Sequence, residues 1–274
     1  MTHARRPFAP VVRERIGLLA NARVGRARAV QLVARLTALA LPRQCALCGM
    51  SCVNMSQWPI CHACDSTYWN EPRLRCTSCA LPLSASRSRG RGVTRYRCGV
   101  CASTPPSFDR VLALADYRAP LERLALGLKF HARLAVAREF GQRLARLALD
   151  HLEHTDWPDV VAPVPLAGKR LAERGFNQAW EIAKPLARAL AIPADVMLMR
   201  RTTETAPQSR LDREARQHNV AAAFQVTRRV RGMHVALVDD VMTSGATLQA
   251  AAHALKTAGA RAVTVFVALR TPKD

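Results

Sequence analysis

Long apolar runs are missing from this 274-residue sequence: no stretch of eighteen uncharged apolar residues occurs, so no membrane span is expected. The best apolar run near the start, "AVQLVARLTALALP" (29–42), is interrupted by Arg35 and has no small-residue cleavage site after it. That argues against a secretory signal and leads to the expectation of a cytoplasmic protein with reduced cysteines. Aromatic residues are also few, at 5% of the chain. The core must therefore be filled by Ala, Leu and Val. Acidic residues are the third shortage: 20 Asp and Glu stand against 41 Lys and Arg, for a formal net charge of +21. The imbalance is steepest at the front, where residues 1–110 hold 17 basic and four acidic side chains. Such a charge favours nucleic acid, anionic lipid or phosphorylated ligands. An arginine-rich composition would produce the same number with no partner, so charge by itself names none.

Cysteine, by contrast, is abundant and patterned. Eight of the nine cysteines form four pairs with two residues between partners: Cys45/Cys48, Cys61/Cys64, Cys76/Cys79 and Cys98/Cys101. Two intervening residues let one tight turn aim both sulfurs at a single ion, and eight thiolates suffice for two tetrahedral zinc sites. Sequential pairing would group 45, 48, 61 and 64, then 76, 79, 98 and 101; an interleaved arrangement satisfies the spacing equally well. Iron–sulfur ligation, a redox role and disulfides are the competing readings. Four thiolates leave no open position for water, so such zinc would be structural. Cys52 is left over as a spare thiol. The segment "PLSASRSRGRGVTR" (82–95) reads as a flexible basic loop, suited to single-stranded nucleic acid or to protein contact.

The order of the chain suggests three parts. Residues 1–43 read as a basic helical segment, 44–107 as a double zinc-ribbon-like cysteine module, and 108–274 as an α/β domain. In the last part, strand patterns at 108–117, 159–166, 234–238 and 261–269 alternate with helical patterns at 119–130, 132–152, 177–192 and 247–260. Pro185 falls inside one helical pattern and predicts a kink or an early stop. The alternation predicts an α/β fold: a mainly parallel twisted sheet flanked by helices on both faces.

The most specific stretch is "LVDDVMTSGATLQAAAHALK", beginning at residue 237. A Val-rich strand is followed by two acids, a turn of small residues and a strong helix former. Open α/β sheets bind ligands at that end of a strand. In the turn Thr243, Ser244, Gly245, Ala246 and Thr247, backbone N–H groups and the positive helix end converge, which makes a phosphate cradle. Gly245 permits close approach or positive φ. Asp239 and Asp240 suit the vicinal hydroxyls of a sugar, or a Mg²⁺ ion held through waters. Either acid alone would read as a cap or a solvated turn residue.

"LVDDVMTSGATL" resembles the ribose-phosphate motif of type I phosphoribosyltransferases, and the wider chain resembles the ComF family, the competence-associated proteins of bacteria. The likeness runs from Leu39 onward. It includes "LALPRQCALCG", the cysteine pairs, "LKF" (128–130), "PVPLAGKRLAERGFNQA" (163–179) and "ETAPQSRLDREARQHNVAAAF" (204–224). One departure is "TSG" where that family usually has two threonines before glycine; Ser244 keeps the hydroxyl and the N–H. The resemblance implies that Asp239 and Asp240 contact the ribose of phosphoribosyl pyrophosphate, bound with Mg²⁺, and that residues 243–247 hold its 5′-phosphate. Lys169, Arg170 and Arg174 would neutralise the pyrophosphate. Arg216, with Gln208 and Asn219, would lie on a loop covering the substrate. Lys129 reads as a helix-face residue, and neither His131 nor His218 receives a catalytic role. The expected function is a ComF-like role in DNA uptake or processing, with phosphoribosyl pyrophosphate, single-stranded DNA and other DNA-uptake or recombination proteins as partners. A transferase of nucleotide-salvage type and a non-catalytic nucleic-acid-binding adaptor are the alternatives.

Overall fold

A computed structural model describes residues 44–51, 60–69, 74–83, 96–153, 156–202 and 223–272. The basic 1–43 segment, Cys52, most of the 82–95 loop and the segment carrying Gln208, Arg216, His218 and Asn219 lie outside the described residues.

Two strands rich in Val and Ala organise the structure. β5 (His234–Met242) and β6 (Ala262–Arg270) pair in parallel at the centre of a four-stranded sheet. β1 (Arg110–Asp116) adds to the outer side of β6, and β2 (Val160–Pro163) to the outer side of β5. The order is β1-β6-β5-β2, and all pairings are parallel. Alternate side chains of each central strand enter opposite apolar clusters, as a period of two requires. Ala236, Val238, Phe266 and Ala268 meet α3 (Glu122–His131), α4 (Leu134–His151) and α6 (Gln178–Leu190) through Leu124, Leu128, Phe140, Leu144, Ile182 and Leu186. Val235, Leu237, Val263, Val265 and Val267 join Leu248, Ala251 and Leu255 of α7 (Ala246–Thr257) in the other cluster. Helices thus cover both faces, as the alternating pattern predicts. Among the described residues no helix is long and apolar enough to cross a membrane.

Three local readings change. β5 does not end at residue 238; Asp239, Val241 and Met242 remain in register with Val267, Leu269 and Arg270. The acids therefore lie inside the central strand, which continues through Met242, and are not the first residues of a loop. Between β2 and α6 lies a further short helix, α5 (Gly168–Arg174), whose residues are all at least partly exposed. Pro185 does not stop α6, which continues to Leu190. A short antiparallel ribbon of β3 (Met199–Arg201) and β4 (Phe224–Val226) flanks the sheet.

Pro185 also marks a close contact between helices. A Cβ added to Gly141 on α4 would sit 2.5 Å from Pro185 Cγ, 2.6 Å from the Ile182 carbonyl oxygen and 2.9 Å from Leu186 N. Two of those neighbours are backbone, so relief requires the helices to separate. Gly141→Ala is expected to destabilise the protein by about 1–3 kcal/mol through overpacking. The gain in helix propensity, about 0.8–1.0 kcal/mol, offsets part of this. A thermal melt of the variant several degrees below wild type is the expected reading; an unchanged melt would mean that α4 and α6 separate freely.

Candidate functional site

The described cysteines gather into two groups by sequential pairing: Cys45, Cys48, Cys61 and Cys64, and Cys76, Cys79, Cys98 and Cys101. Within each group the sulfurs all lie within 4.8 Å of one another. A tetrahedral site with metal–sulfur bonds of about 2.3 Å has sulfur–sulfur edges of about 3.8 Å. The Cys48–Cys61 and Cys79–Cys98 sulfurs are 3.7 Å apart in both groups. Backbone N–H groups donate to sulfur as a thiolate requires: Leu47 and Cys61 to Cys45 Sγ at 3.4 and 3.3 Å, and Cys98 to Cys76 Sγ at 3.3 Å. Burial alone would raise both thiols. The converging N–H groups outweigh it and bring Cys45 down to about 6 and Cys76 to about 7, whereas burial raises Cys64, Cys79 and Cys101. The donor set thus fits a metal at each group, and zinc suits four closed thiolates best.

The groups dock on different parts of the fold. Cys45, Leu47, Ile60 and Cys64 share the apolar cluster of α4 and α6. Beside them Trp69 meets Phe140 edge-on at 6.0 Å, and Arg143 of α4 joins Asp65 and Glu139. Burial pushes the Glu139 carboxyl up to about 7, with Arg143 opposing the shift. Cys76, Cys79, Ala80, Leu81, Cys101 and Phe108 share the other cluster, with the sheet and α7.

Because the sheet is parallel, all four carboxyl ends open on one edge. Asp239 and Asp240 of the central strand stand there, both half-buried. Asp239 Oδ1 accepts from the Asp240 N–H at 2.9 Å, and Asp240 Oδ1 from the Val241 N–H at 2.9 Å. Burial, and then the charge of Asp240, hold the Asp239 carboxyl well above its usual range. Two adjacent carboxylates in this state favour a cation or hydroxyl donors between them.

The turn 243–247 follows directly. Gly245 has φ +84° and caps α7, and a Cβ there would lie 2.6 Å from Met242 Cε. A glycine cap offers no side-chain acceptor, but Ser244 Oγ accepts from the Ala246 N–H at 3.3 Å, and the helix start faces the turn. Thr243, Ser244, Ala246 and Thr247 are exposed around it. Cationic groups come from a separate element, α5. Lys169 and Arg170 lie exposed on α5, and Arg174 half-buried at its end. Arg174 donates to Gln178 Oε1 at 3.1 Å; Asn177 caps α6 at Ala179 N–H and donates to the Val164 carbonyl, each at 3.0 Å. The "RGFNQ" block therefore anchors the loop leaving β2.

Four residues that sequence reading left without a ligand role also reach this edge. Burial, Glu122 and Asp240 raise the Tyr117 hydroxyl. The Lys129 ammonium favours the charged form of Asp239. Burial and Arg170 lower Arg201, and Asp239 acts against them. Arg270 lies beneath the turn. Of the groups expected at the site, Arg216, Gln208 and Asn219 fall outside the described residues.

A parallel sheet with this acid pair and phosphate-type turn defines the phosphoribosyltransferase class, and the family model for the phosphoribosyl transferase domain matches residues 133–274. "DNA utilization protein YhgH" of Escherichia coli K12 is 35% identical over 236 residues, spanning 85% of this chain and 99% of that protein. "Competence protein F" of Haemophilus influenzae is 32% identical over 62% of this chain and 76% of its own length. "Competence protein ComFC" of Bacillus subtilis is 35% identical over 42% of this chain and 47% of its own. The chain belongs to the ComF/YhgH family.

Proposed function

We propose that this protein binds phosphoribosyl pyrophosphate with Mg²⁺ at the carboxyl edge of its sheet and acts in the uptake or processing of single-stranded DNA. One observation carries the ligand reading: the half-buried acid pair lies in the last residues of the central strand, which leads through a short turn into a glycine-capped helix start. Asp239 and Asp240 would accept from the ribose hydroxyls, and the N–H groups of 243–247 would surround the 5′-phosphate. Lys169, Arg170 and Arg174 are assigned to the pyrophosphate and Arg216 to the loop covering the substrate; Arg201, which feels the charges of Arg170 and Asp239, joins the first three. Mg²⁺, held near Asp239 and Asp240 through waters, would supply charge neutralisation to the diphosphate. Calorimetric titration with phosphoribosyl pyrophosphate, with and without Mg²⁺, tests this. Saturable heat with Mg²⁺ is expected, and its absence would reduce the likeness to shared ancestry of fold.

The DNA part rests on the relatives' names, "DNA utilization protein" and "Competence protein", and on the basic front of the chain. Binding of single-stranded DNA should weaken steeply with salt, because each neutralised phosphate releases a counterion. Replacing Arg87, Arg89, Arg91 and Arg95 by Ala should flatten the slope of log affinity against log salt. Four lost contacts correspond to about 2.8, at roughly 0.7 each for single strands. An unchanged slope and affinity would remove this loop from the interface.

A working transferase is the second reading, favoured by the intact acid pair. In that case pyrophosphate leaves the anomeric carbon of the ribose and an acceptor nucleophile adds there. The chain's part is to position both groups and stabilise the departing charge. Pyrophosphate release on addition of a nucleobase panel distinguishes it from a non-catalytic adaptor.

A further inference from the structure

We propose that Arg270 is a positioning residue that ties the second cysteine group to the phosphate turn, so that metal held by Cys76, Cys79, Cys98 and Cys101 shapes the turn 243–247. Its ligand readout rests on the function proposed above; its structural readout does not.

Arg270 ends β6, opposite Met242 in the register, and is 2% exposed. Its guanidinium faces two ways. Nε donates to the carbonyl of Cys79 at 2.9 Å. Nη1 donates to the carbonyls of Met242 at 2.9 Å and Thr271 at 2.8 Å, and also to that of Thr243. One buried side chain therefore bridges a residue that supplies a metal-site sulfur and the first residue of the turn. The planar fork is what allows donors to aim at separate acceptors.

The acceptor on the cysteine side depends on how its loop is closed. Ala80, which follows Cys79, has φ +54°, a left-handed conformation that alanine rarely adopts. Its N–H donates to the Cys76 carbonyl at 2.8 Å. Its own carbonyl accepts from Arg75 Nη1 at 3.0 Å, and the same Nη1 lies 2.7 Å from Asp116 at the end of β1. A metal drawing the four sulfurs together would hold this loop in place and keep the Cys79 carbonyl aimed at Arg270.

A second tie reaches the far side of the turn. Gln249, in the first turn of α7, exchanges two hydrogen bonds with Ser107: Ser107 N–H to Oε1 and Nε2 to Ser107 Oγ, each 2.9 Å. Ser107 follows α2 (Gly99–Ser103), the short helix carrying Cys101. The turn is thus gripped at 242–243 and at 249 from the same cysteine group. The first group packs instead on α4, through Asp65–Arg143 and Trp69–Phe140.

The experiment compares four full-length proteins under reducing conditions: wild type, Arg270→Lys, Cys98→Ser with Cys101→Ser, and Cys48→Ser with Cys61→Ser. Zinc content, amide hydrogen exchange of the 243–249 segment, and affinities for ribose 5-phosphate and phosphoribosyl pyrophosphate are measured. Arg270→Lys keeps the charge and loses the fork. It should retain the wild-type zinc content while exchange in 243–249 rises about tenfold or more. The second-group variant should lose one zinc and show the same local rise. The first-group variant should lose one zinc with 243–249 exchange unchanged. Ligand affinity should fall at least tenfold in the first two variants. Wild-type exchange in Arg270→Lys overturns the proposal, and that variant decides alone if the cysteine variants do not fold. An equal rise in all three variants also overturns it, since the effect would then be general loosening. If wild type binds neither ligand while the exchange pattern holds, the ligand reading fails and the coupling stands.

Discussion

Changing Asp239→Asn together with Asp240→Asn is expected to weaken phosphoribosyl pyrophosphate binding by about 100-fold or more, and to make the fold more stable while doing so. Asparagine keeps the size of each side chain and removes the charged acceptors. Hydrogen bonds to charged groups contribute about 1.5–3 kcal/mol each, and about 1.4 kcal/mol is tenfold in affinity. The stability gain follows from Asp239. Its carboxyl is held above its usual range, chiefly by burial and then by Asp240. An unfolded chain gives up that proton near a pH of about 3.9, whereas the native protein keeps it to higher pH. Above that point the unfolded state binds fewer protons, so stability falls as pH rises until the native group has also ionised. Asparagine at 239 abolishes that fall. Thermal melts across the pH range should show the variant gaining on wild type above roughly pH 4, while calorimetry shows the ligand lost. Equal affinity in the two proteins would take the acid pair out of the binding site. A variant less stable than wild type at neutral pH would mean that the carboxylates support the fold. A loss of binding with a gain in stability is the signature of charges kept for a ligand.

The central sheet was legible because its strands are apolar on both faces: 234–238 and 261–269 read as strand runs, and 234–238 and 263–269 are buried. The extension of β5 through Asp239 and Asp240 was not. Pairing of 239 and 241 with β6 is imposed by the neighbouring strand and overrides local polarity. Spacing of two residues is identical in all four cysteine pairs, so it could not choose between sequential and interleaved closure. The acid pair, the turn and the basic residues of 169–174 form contiguous stretches and could be read as such. Tyr117, Lys129, Arg201 and Arg270 could not, because each reaches the edge from a different strand end or helix, brought there only by tertiary packing. Asn177 and Gln178 belonged to a specific block, yet their contacts are with the protein itself, holding the β2 loop and Arg174.

Removing metal is expected to unfold more than the cysteine region. Zinc-finger peptides owe about 10–16 kcal/mol of apparent folding free energy to their ion, and here the two cysteine groups are also built into the cores on either face of the sheet. Loss of the first would loosen Leu47 and Ile60 from the α4 and α6 cluster. Loss of the second would withdraw Leu81 and Phe108 from the cluster of α7 and the strands. Protein purified without added metal should carry about two zinc ions per chain, as eight thiolates in two groups require. Stripping both with a strong chelator in reducing buffer should lower the melting temperature of the α/β body as well. Even about 3 kcal/mol lost would correspond to roughly 6–12 °C, at about 2–4 °C per kcal/mol for chains approaching this size. Because thiolates must be deprotonated to hold the ion, less chelator should be needed as pH falls. A metal content near zero in folded, reduced protein, or an unchanged melt after stripping, would contradict this. So would a melt in which only the cysteine region responds, since each metal site shares the core on its own face of the sheet.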